Sequence, residues 1–490
     1  MMLLRELIRE VPGLIGVSDD PDTEIFTLAS DSRNASEMRG ALFFCVSGAR
    51  VDAHTFAAQV VKAGAVALVV ERIVPEVNVP QVQVENVRLA MAHMSAAFFG
   101  HPGRCMKLAA VTGTKGKTTT AYLVKAIVEA DGMQCGMIGT TGNMIGTRML
   151  PAHLTTPDPI ELHRTLREMV DAGAQAVVME ASAHALDMQR LDGLMFDAVA
   201  FTNLSQDHLD YFGTMDAYRD TKKRLFTPHY ARNAAFNVDD EAATAMMEGV
   251  TLPYVTYGIR AECDIYARDI EITENGVSFT LQLHRALETR INLHLTGMFN
   301  VYNAMTAAAI GLILGVDMDT IRRGLESVRS VPGRVEVLET HTPYKVILDY
   351  SHAPAALENV LKVVRTFARG RVIVLFGCGG DRDREKRPIM GAIGGRLADF
   401  SILTSDNPRN EDPYAILTSI EAGMRTTQGA YCVIENRREA IRHALTMARP
   451  EDVVILAGKG HETYQEIAGE KHPFDEKVVV RELLEEMDMQ

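Results

Sequence analysis

At 490 residues the chain is too long for one hydrophobic core, and its length suggests about three domains. Hydrophobic residues make up 47% and charged ones 23%, the balance of a soluble globular protein, and no run approaches the ~18 apolar residues of a membrane span. Fifty Lys and Arg against 64 Asp and Glu give a formal charge of −14, which argues against nonspecific nucleic-acid binding and requires any anionic ligand to be held by local positive charge.

The opening stretch MMLLRELIREVPG (1–13) is interrupted by Arg5, Glu6, Arg9 and Glu10, so it reads as an amphipathic helix and not as a signal peptide. Six cysteines are scattered without CxxC spacing, which indicates neither a zinc site nor a disulfide framework; a cytoplasmic enzyme with reduced thiols is expected. Short strands are predicted at 40–46 and 66–70 and a helix at 87–99, before His101-Pro102-Gly103 punctuates the chain. Strands and helices alternate from there to about 330, with a β-rich portion at 263–295 and a helix starting near Asn300. Val331-Pro332-Gly333 marks a second boundary, so the domains are placed at 1–104, 105–331 and 332–490. The last segment repeats a short apolar strand ending in a polar or glycine-rich cluster at 346–354, 372–383, 400–409 and 453–462, which predicts a parallel sheet with crossover helices. In such sheets ligands bind beyond the carboxyl ends of the strands, where all four clusters fall.

The most informative stretch is LAAVTGTKGKTTT (108–120), an apolar run breaking into a glycine-and-lysine loop that opens a helix near Lys117. Such a turn points backbone N–H groups at a polyphosphate, with Lys117 reaching the terminal phosphates and the Thr118 hydroxyl available to Mg2+. Two residues separate Gly113 from the Gly116-Lys117 pair, where the usual phosphate loop has four. ATP or a close relative is the expected ligand, contacted by Gly113, Thr114, Lys115, Gly116, Lys117, Thr118 and Thr119. Glu180 follows one apolar run and His208 follows another, so a cation, a carboxylate and an imidazole are expected at strand ends, as an Mg-nucleotide site requires. Taken singly, Glu180 reads as a solvent-facing strand end and His208 as a hydrogen-bonded core histidine; the combination with the loop favours a site.

Ten motifs carry a resemblance to the ATP-dependent Mur ligases. In order they are TGTKGKTTT (112–120), TTPD (155–158), MEASAHAL (179–186), TNLSQDHLDYFG (202–213), GMFNVYNA (297–304), VPGRVEV (331–337), DYSHAP (349–354), GCGGDRD (377–383), SDNPR (405–409) and GKGHE (458–462). The first ~100 residues carry the likeness more weakly, through DSR at 31–33 and FFCVSG at 43–48. The resemblance implies an α/β protein of three domains: an N-terminal α/β UDP-binding domain, a central P-loop-type ATPase domain with a parallel sheet, and a C-terminal Rossmann-like domain. It implies an amide ligation in which ATP phosphorylates the carboxylate of a UDP-sugar peptide and an amino acid's amine attacks the acyl phosphate. Within the family the motifs resemble members that add meso-diaminopimelate to UDP-N-acetylmuramoyl-L-alanyl-D-glutamate in peptidoglycan synthesis.

The same resemblance assigns residues. Lys117 and Thr118 serve the phosphates and a first Mg2+ with Glu180 as ligand, His208 serves a second Mg2+, Asn300 and Asn303 lie on the adenine side, and Arg334 makes a further nucleotide contact. Lys222, in TMDAYRDTKKRLF (214–226), aligns with the lysine these ligases carry as a carbamate, and is favoured over Lys223 by motif register. Ser32, Thr155, Thr156, Ser182 and Arg190 match positions for the UDP-sugar dipeptide. Departures from the pattern are Ala183 for a serine, Met188 for a common glutamine, with Gln189 beside it as a substitute, and Lys115 for an asparagine. Asp406, Asn407, Pro408 and Arg409 form the motif that reads the incoming amino acid, with Arg382, Gly458 and Glu462 as further contacts. Diaminopimelate carries a second carboxylate that Arg409 can clamp, whereas L-lysine would leave a guanidinium desolvated without a partner. The plain alternative for Arg409 is an exposed turn residue paired with Glu411. The implied partners are the nucleotide dipeptide and the amino acid, with no nucleic acid or membrane, and a monomer is expected. The competing readings are the same ligation with L-lysine or another amino acid, and a nucleotide-binding scaffold without turnover.

Overall fold

A computed structural model of the chain describes residues 1–48, 51–150, 154–273 and 275–488. These fall into two compact units: Met1–Tyr266 with Gln282–Leu287 and Asn303–Gly324, and Ala267–Leu281 with Glu288–Tyr302 and Leu325–Gln490.

Besides a two-stranded sheet, the first unit holds two larger ones. The N-terminal one has the order Leu14–Val17, Gln81–Val84, Ala67–Val70, Ala41–Phe44, Thr27–Ala29, and only its Leu14–Val17 edge is antiparallel. The apolar runs ALFF and ALVV are buried on both faces, as central strands of a parallel sheet demand. The helix Val87–Phe98 matches the predicted one and is capped by Asn86, whose side chain accepts from the Leu89 N–H. The opening helix is shorter than its pattern suggests, spanning only Leu4–Leu7. Met2 and Leu3 pair instead with Glu24–Ile25, so strand pairing captures the leading residues and confines the helix to one turn.

The larger sheet of this unit runs Arg148–Leu150, Gly142–Ile145, Cys135–Gly139, Ala176–Glu180, Lys107–Thr112, Ala198–Phe201, Ala234–Asn237, Tyr254–Gly258. The strands are parallel from Cys135–Gly139 onward. Its register sets Glu180 opposite Val111 and Phe201 opposite Thr112, so three neighbouring strands end together. The expected β-rich portion is the set Ile265–Thr273, Gly276–Leu283 and Leu287–Leu293, and the helix expected near Asn300 is Met298–Ile313.

In the second unit a six-stranded sheet runs Glu336–Leu338, Lys345–Asp349, Val453–Ala457, Val372–Phe376, Phe400–Leu403, Ala430–Val433, antiparallel only at the first pair. The four predicted strands form its parallel centre. The two edge strands, Glu336–Leu338 and Ala430–Val433, are short and only partly buried and are not among the predicted strands. Val453–Ala457 returns between two earlier strands, which creates the reversal of strand order where α/β sheets bind ligands. Among the described residues no helix is long and apolar enough to cross a membrane. All six cysteines are free thiols.

Candidate active site

The glycine loop sits where the central strand Lys107–Thr112 hands over to the helix Lys117–Ala130. Gly113 and Gly116 have φ of +147° and +86°, and a Cβ on Gly116 would stand 2.3 Å from Asn303 Oδ1. Gly116 occupies the helix N-cap without any side-chain cap, leaving that helix end to face a ligand. The loop is fastened to TNLS of the neighbouring strand end. Thr114 N–H donates to the Asn203 carbonyl (2.8 Å), Lys115 N–H to Asn203 Oδ1 (3.0 Å), and Thr202 Oγ1 to the Lys115 carbonyl (2.7 Å).

Two lysines converge on one carbonyl. Lys117 Nζ donates to the carbonyls of Gly113 and Thr114, both at 2.9 Å, and Lys222 Nζ donates to the same Gly113 carbonyl at 2.9 Å. Lys222 is 1% exposed and lies 4.4 Å from the centre of the buried Tyr218 ring. Burial, reinforced by the charge of Lys117, drives the Lys222 amine well below its ordinary pKa. Lys223 points elsewhere, donating to the Ala245 carbonyl at 2.7 Å. Of the two, Lys222 is the one buried against the glycine loop.

Glu180 ends its strand fully buried and accepts from the Thr140 N–H (2.8 Å) and Thr140 Oγ1 (3.0 Å). It is not a solvent-facing strand end. A Cβ on Gly139 would lie 2.4 Å from Glu180 Oε1, so the carboxylate is seated on bare backbone. His208 begins the short helix Leu209–Phe212 in a left-handed conformation (φ 54°), its ring edge-on to His184 at 4.8 Å. Its side chain is half-exposed, so it is not a core histidine either. Burial lowers its pKa, Asp207 opposes this, and Lys117 and Lys222 add to the lowering. Among the described residues no three His, Cys, Asp or Glu side chains converge as a metal cage. Single hard ligands, Glu180 and the buried Thr118 hydroxyl, instead suit a Mg2+ whose remaining positions come from phosphates and water.

The predicted dipeptide residues are joined to Glu180 by a chain of hydroxyls. Thr155 Oγ1 lies 3.1 Å from Thr140 Oγ1, Thr156 Oγ1 donates to the Glu180 carbonyl (2.6 Å), and Arg190 Nη1 donates to the Thr156 carbonyl (2.9 Å). Ser182 N-caps the helix Ala183–Asp187, accepting from the Ala185 N–H. Ala183 is buried as the first residue of that helix, and Lys115 joins the loop through its backbone. Met188 Sδ stands 3.2 Å from Arg190 Nη2. Gln189 is already engaged: its amide oxygen accepts from Asn86 Nδ2 at 2.7 Å, so it does not replace a glutamine at 188. Ser32 lies apart from this network, in the turn where Arg33 binds the Asp31 carboxylate and holds it down at about 2.

The second unit contains a separate site. The loops 404–409 and 458–462 leave parallel strands and are pinned together. Asn407 Nδ2 donates to Glu462 Oε2 (2.9 Å), and Lys459 Nζ, completely buried, donates to Asn407 Oδ1 (3.0 Å) and Glu462 Oε2 (3.2 Å). Lys459 also lies 3.7 Å from the buried Asp406 carboxylate. A Cβ on Gly458 would come within 2.7 Å of Asp406 Oδ2. Pro408 passes its carbonyl so close to Gly380 that a Cβ there would meet it at 1.9 Å. Arg409 differs from its plain alternative. Glu411 pairs with Arg387 and Arg384, while Arg409 donates from Nε to Glu466 Oε2 (3.0 Å) and from Nη1 to the Gly380 carbonyl (2.9 Å). The expectation that lysine would meet an unpartnered guanidinium is corrected accordingly: Glu466 is the partner. Arg382 is exposed on the loop after Val372–Phe376. Asn300 Nδ2 donates to the Thr296 carbonyl one turn earlier, and Arg334 stacks on Tyr350 at 4.9 Å.

Sequence reasoning missed Thr140, Asn203, Lys459 and Glu466. Lys459 carried a signal, a cation between two glycines directly after an apolar strand, and Asn203 fell inside the motif at 202–213; Thr140 and Glu466 carried none.

A glycine loop between a parallel strand and the helix Lys117–Ala130 in the first unit, and a cluster of charged side chains at the strand ends of the second, are the features of a nucleotide-binding α/β protein. The Mur ligase middle domain model matches residues 111–311, the Mur ligase glutamate ligase domain 333–460, and the Mur ligase family catalytic domain 25–99. The chain belongs to the Mur ligase family. It is 44% identical to the UDP-N-acetylmuramoyl-L-alanyl-D-glutamate–2,6-diaminopimelate ligase of Geobacillus thermodenitrificans, over 99% of this chain and 100% of the relative. It is 41% identical to the ligase of the same name from Caldanaerobacter subterraneus, covering 99% of each. A solved structure of a ligase of that name superposes with a TM-score of 0.70 at 31% identity, covering 99% of each chain. Mycobacterium tuberculosis folylpolyglutamate synthase shares the fold, with a TM-score of 0.63 at 19% identity over 76% of this chain and 92% of that one.

Proposed function

We infer that this protein is an ATP-dependent ligase that joins meso-diaminopimelate to UDP-N-acetylmuramoyl-L-alanyl-D-glutamate in peptidoglycan synthesis. What carries the reading is the end-to-end 44% identity with a ligase so named. The family segments each fall inside one of the parts 1–104, 105–331 and 332–490, which supports the three-domain division.

A carboxylate is inert to amines at neutral pH, so it must first acquire a leaving group. Transfer of the γ-phosphoryl group to the carboxylate breaks the bond to ADP and forms an acyl phosphate; the amine then attacks, the amide forms, orthophosphate leaves and the ammonium proton is lost to solvent. The loop N–H groups and Lys117 bind and orient the phosphates, and Lys117 can exchange its two loop carbonyls for phosphate oxygens without leaving the site. Thr118 and Glu180 would hold a Mg2+ and His208 would serve a second, and such ions would supply neutralisation between the two anions. Burial lowers the pKa of the Lys222 amine, which favours the free base that adds CO2 with loss of one proton; the resulting carbamate would be an oxygen ligand suited to Mg2+. Thr155, Thr156, Ser182, Arg190 and Ser32 are assigned to the nucleotide dipeptide, and Asn300, Asn303 and Arg334 to the rest of ATP. Asp406, Asn407 and Glu462 take the amino acid's ammonium and backbone ends; Arg409 takes its carboxylates, with Arg382, from the loop after Val372–Phe376, assigned a further contact.

The test is an isotope experiment. With 18O in the acceptor carboxyl, one labelled oxygen is expected in the orthophosphate released during turnover. Unlabelled orthophosphate formed alongside labelled amide product would exclude the acyl-phosphate route.

A further inference from the structure

Among the described residues Arg437 is one of the largest fully buried side chains, and no role proposed above falls to it. It is the first residue of the helix Arg437–Met447, in a segment that carries no family motif. Its guanidinium makes three kinds of contact. Nη1 donates to the Ser405 carbonyl (3.2 Å), Nη2 to the Ala457 carbonyl (2.9 Å), and Nε to Glu476 Oε1 (2.8 Å). Ser405 immediately precedes Asp406, and Ala457 immediately precedes Gly458. One planar group therefore holds the backbone at the root of both loops that form the amino-acid pocket.

The strands bearing those roots, Phe400–Leu403 and Val453–Ala457, are not neighbours; Val372–Phe376 lies between them. No sheet hydrogen bond fixes their ends to each other; backbone bonds of Arg409 with Glu466 and Ala468 tie the far end of the 406–409 loop, and at the loop roots the tie is the Arg437 side chain. A guanidinium is suited to this because its donors diverge at fixed angles in one plane, whereas an ammonium is a single point. Glu476, the first residue of the C-terminal helix Glu476–Asp488, is equally buried and sets the rotation of that plane. Lys459 and Asp406 lie in the same electrostatic neighbourhood, so the cluster alternates in sign from Glu476 to the pocket.

We propose that Arg437, oriented by Glu476, is a positioning residue for the amino-acid pocket: it sets the distance between the 406–409 and 458–462 loops and thereby the affinity for the incoming amino acid. The inference rests on the ligase reading. It assigns the far C-terminal helix a part in acceptor binding that no residue on that helix performs by contact.

The experiment is steady-state kinetics of the full-length enzyme with Arg437→Lys and Glu476→Gln, varying ATP, nucleotide dipeptide and diaminopimelate in turn. Arg437→Lys keeps the charge but loses the fork; KM for diaminopimelate should rise about tenfold, a loss typical of small misplacements, with KM for ATP within about twofold and kcat largely kept. Glu476→Gln retains an acceptor for Nε and should raise the same KM by a smaller factor, about threefold. Parallel rises in all three KM values, or an unchanged diaminopimelate KM in either folded variant, would overturn the proposal. If Arg437→Lys does not fold, Glu476→Gln decides; failure of both to fold would make the pair purely structural and equally overturn it. A wild-type enzyme that forms no amide with any amino acid would instead sink the ligase reading, so the two failures are distinguishable.

Discussion

Arg409 and Glu466 illustrate how selectivity at a single residue depends on what already binds it. Glu466 accepts from Arg409 Nε, and the Arg409 backbone N–H donates to the Glu466 carbonyl, so the guanidinium is held before any amino acid arrives. On the proposed assignment, a distal carboxylate from diaminopimelate would share that guanidinium with Glu466, at some cost in repulsion. L-Lysine meets neither the attraction nor the repulsion. The advantage of diaminopimelate is then one charge-assisted contact, about 1.5–3 kcal/mol, or roughly 10- to 150-fold in kcat/KM. Replacing Glu466 by Gln keeps an acceptor for Nε but removes the competing charge. The expected result in an amino-acid panel is a lower KM for diaminopimelate in Glu466→Gln, an unchanged value for lysine, and hence a wider ratio. A narrower ratio would show that Glu466 assists the substrate carboxylate instead of competing with it.

At the scale of elements, the strand–loop–helix unit around Gly116 is tightly constrained by its left-handed glycine and the nearby Asn303. Alanine at 116 would hold a left-handed backbone that costs an L-residue about 1–2 kcal/mol, and its Cβ would enter the space of Asn303. The expected phenotype of Gly116→Ala is a folded protein whose melting temperature no longer rises with ATP; an undiminished ATP-induced shift would mean the loop does not cradle the nucleotide. This unit was legible in the sequence because all its information is local: an apolar strand, two glycines, a lysine and hydroxyls within 13 residues. The same holds for the four parallel strands of the second unit, each announced by an apolar run and a polar ending. Legibility stopped where a partner comes from far along the chain. Asn203 fastens the loop from 88 residues away and Thr140 supports Glu180 from 40. Arg437 meets Glu476 across 39 residues and reads in sequence as one more surface arginine. The opening helix failed for a related reason, since its amphipathic pattern did not reveal that residues 24–25 would pair with its first two.

For the molecule as a whole, the formal charge of −14 leaves anionic substrates to be held by cations set deep in otherwise apolar surroundings, and that arrangement is felt in stability. Lys222 is the most exposed to this argument because it is fully buried, shares a carbonyl with Lys117 and is driven well below its ordinary pKa of 10.5. Between that lowered value and 10.5 the unfolded chain binds a proton at this position and the folded chain does not, so stability rises with pH across the window. His163 acts in the same direction at lower pH. Both its ring nitrogens are buried without a partner, and burial pushes it down to about 3, so stability is lost as pH falls from 6.5 toward that value. Above pH 7 only the lysine limb remains of these two. Lys222→Met removes the titrating amine while keeping an unbranched side chain. In carbonate-free buffer, where no carbamate forms, the first thermal transition of Lys222→Met should lie above that of the wild type at pH 7.5. The gap should close as pH approaches 10.5, because the unfolded wild-type chain then loses the proton that favours it. A gap that is constant with pH would mean that Lys222 is protonated in the folded state, and with it the amine needed for CO2 addition would be missing.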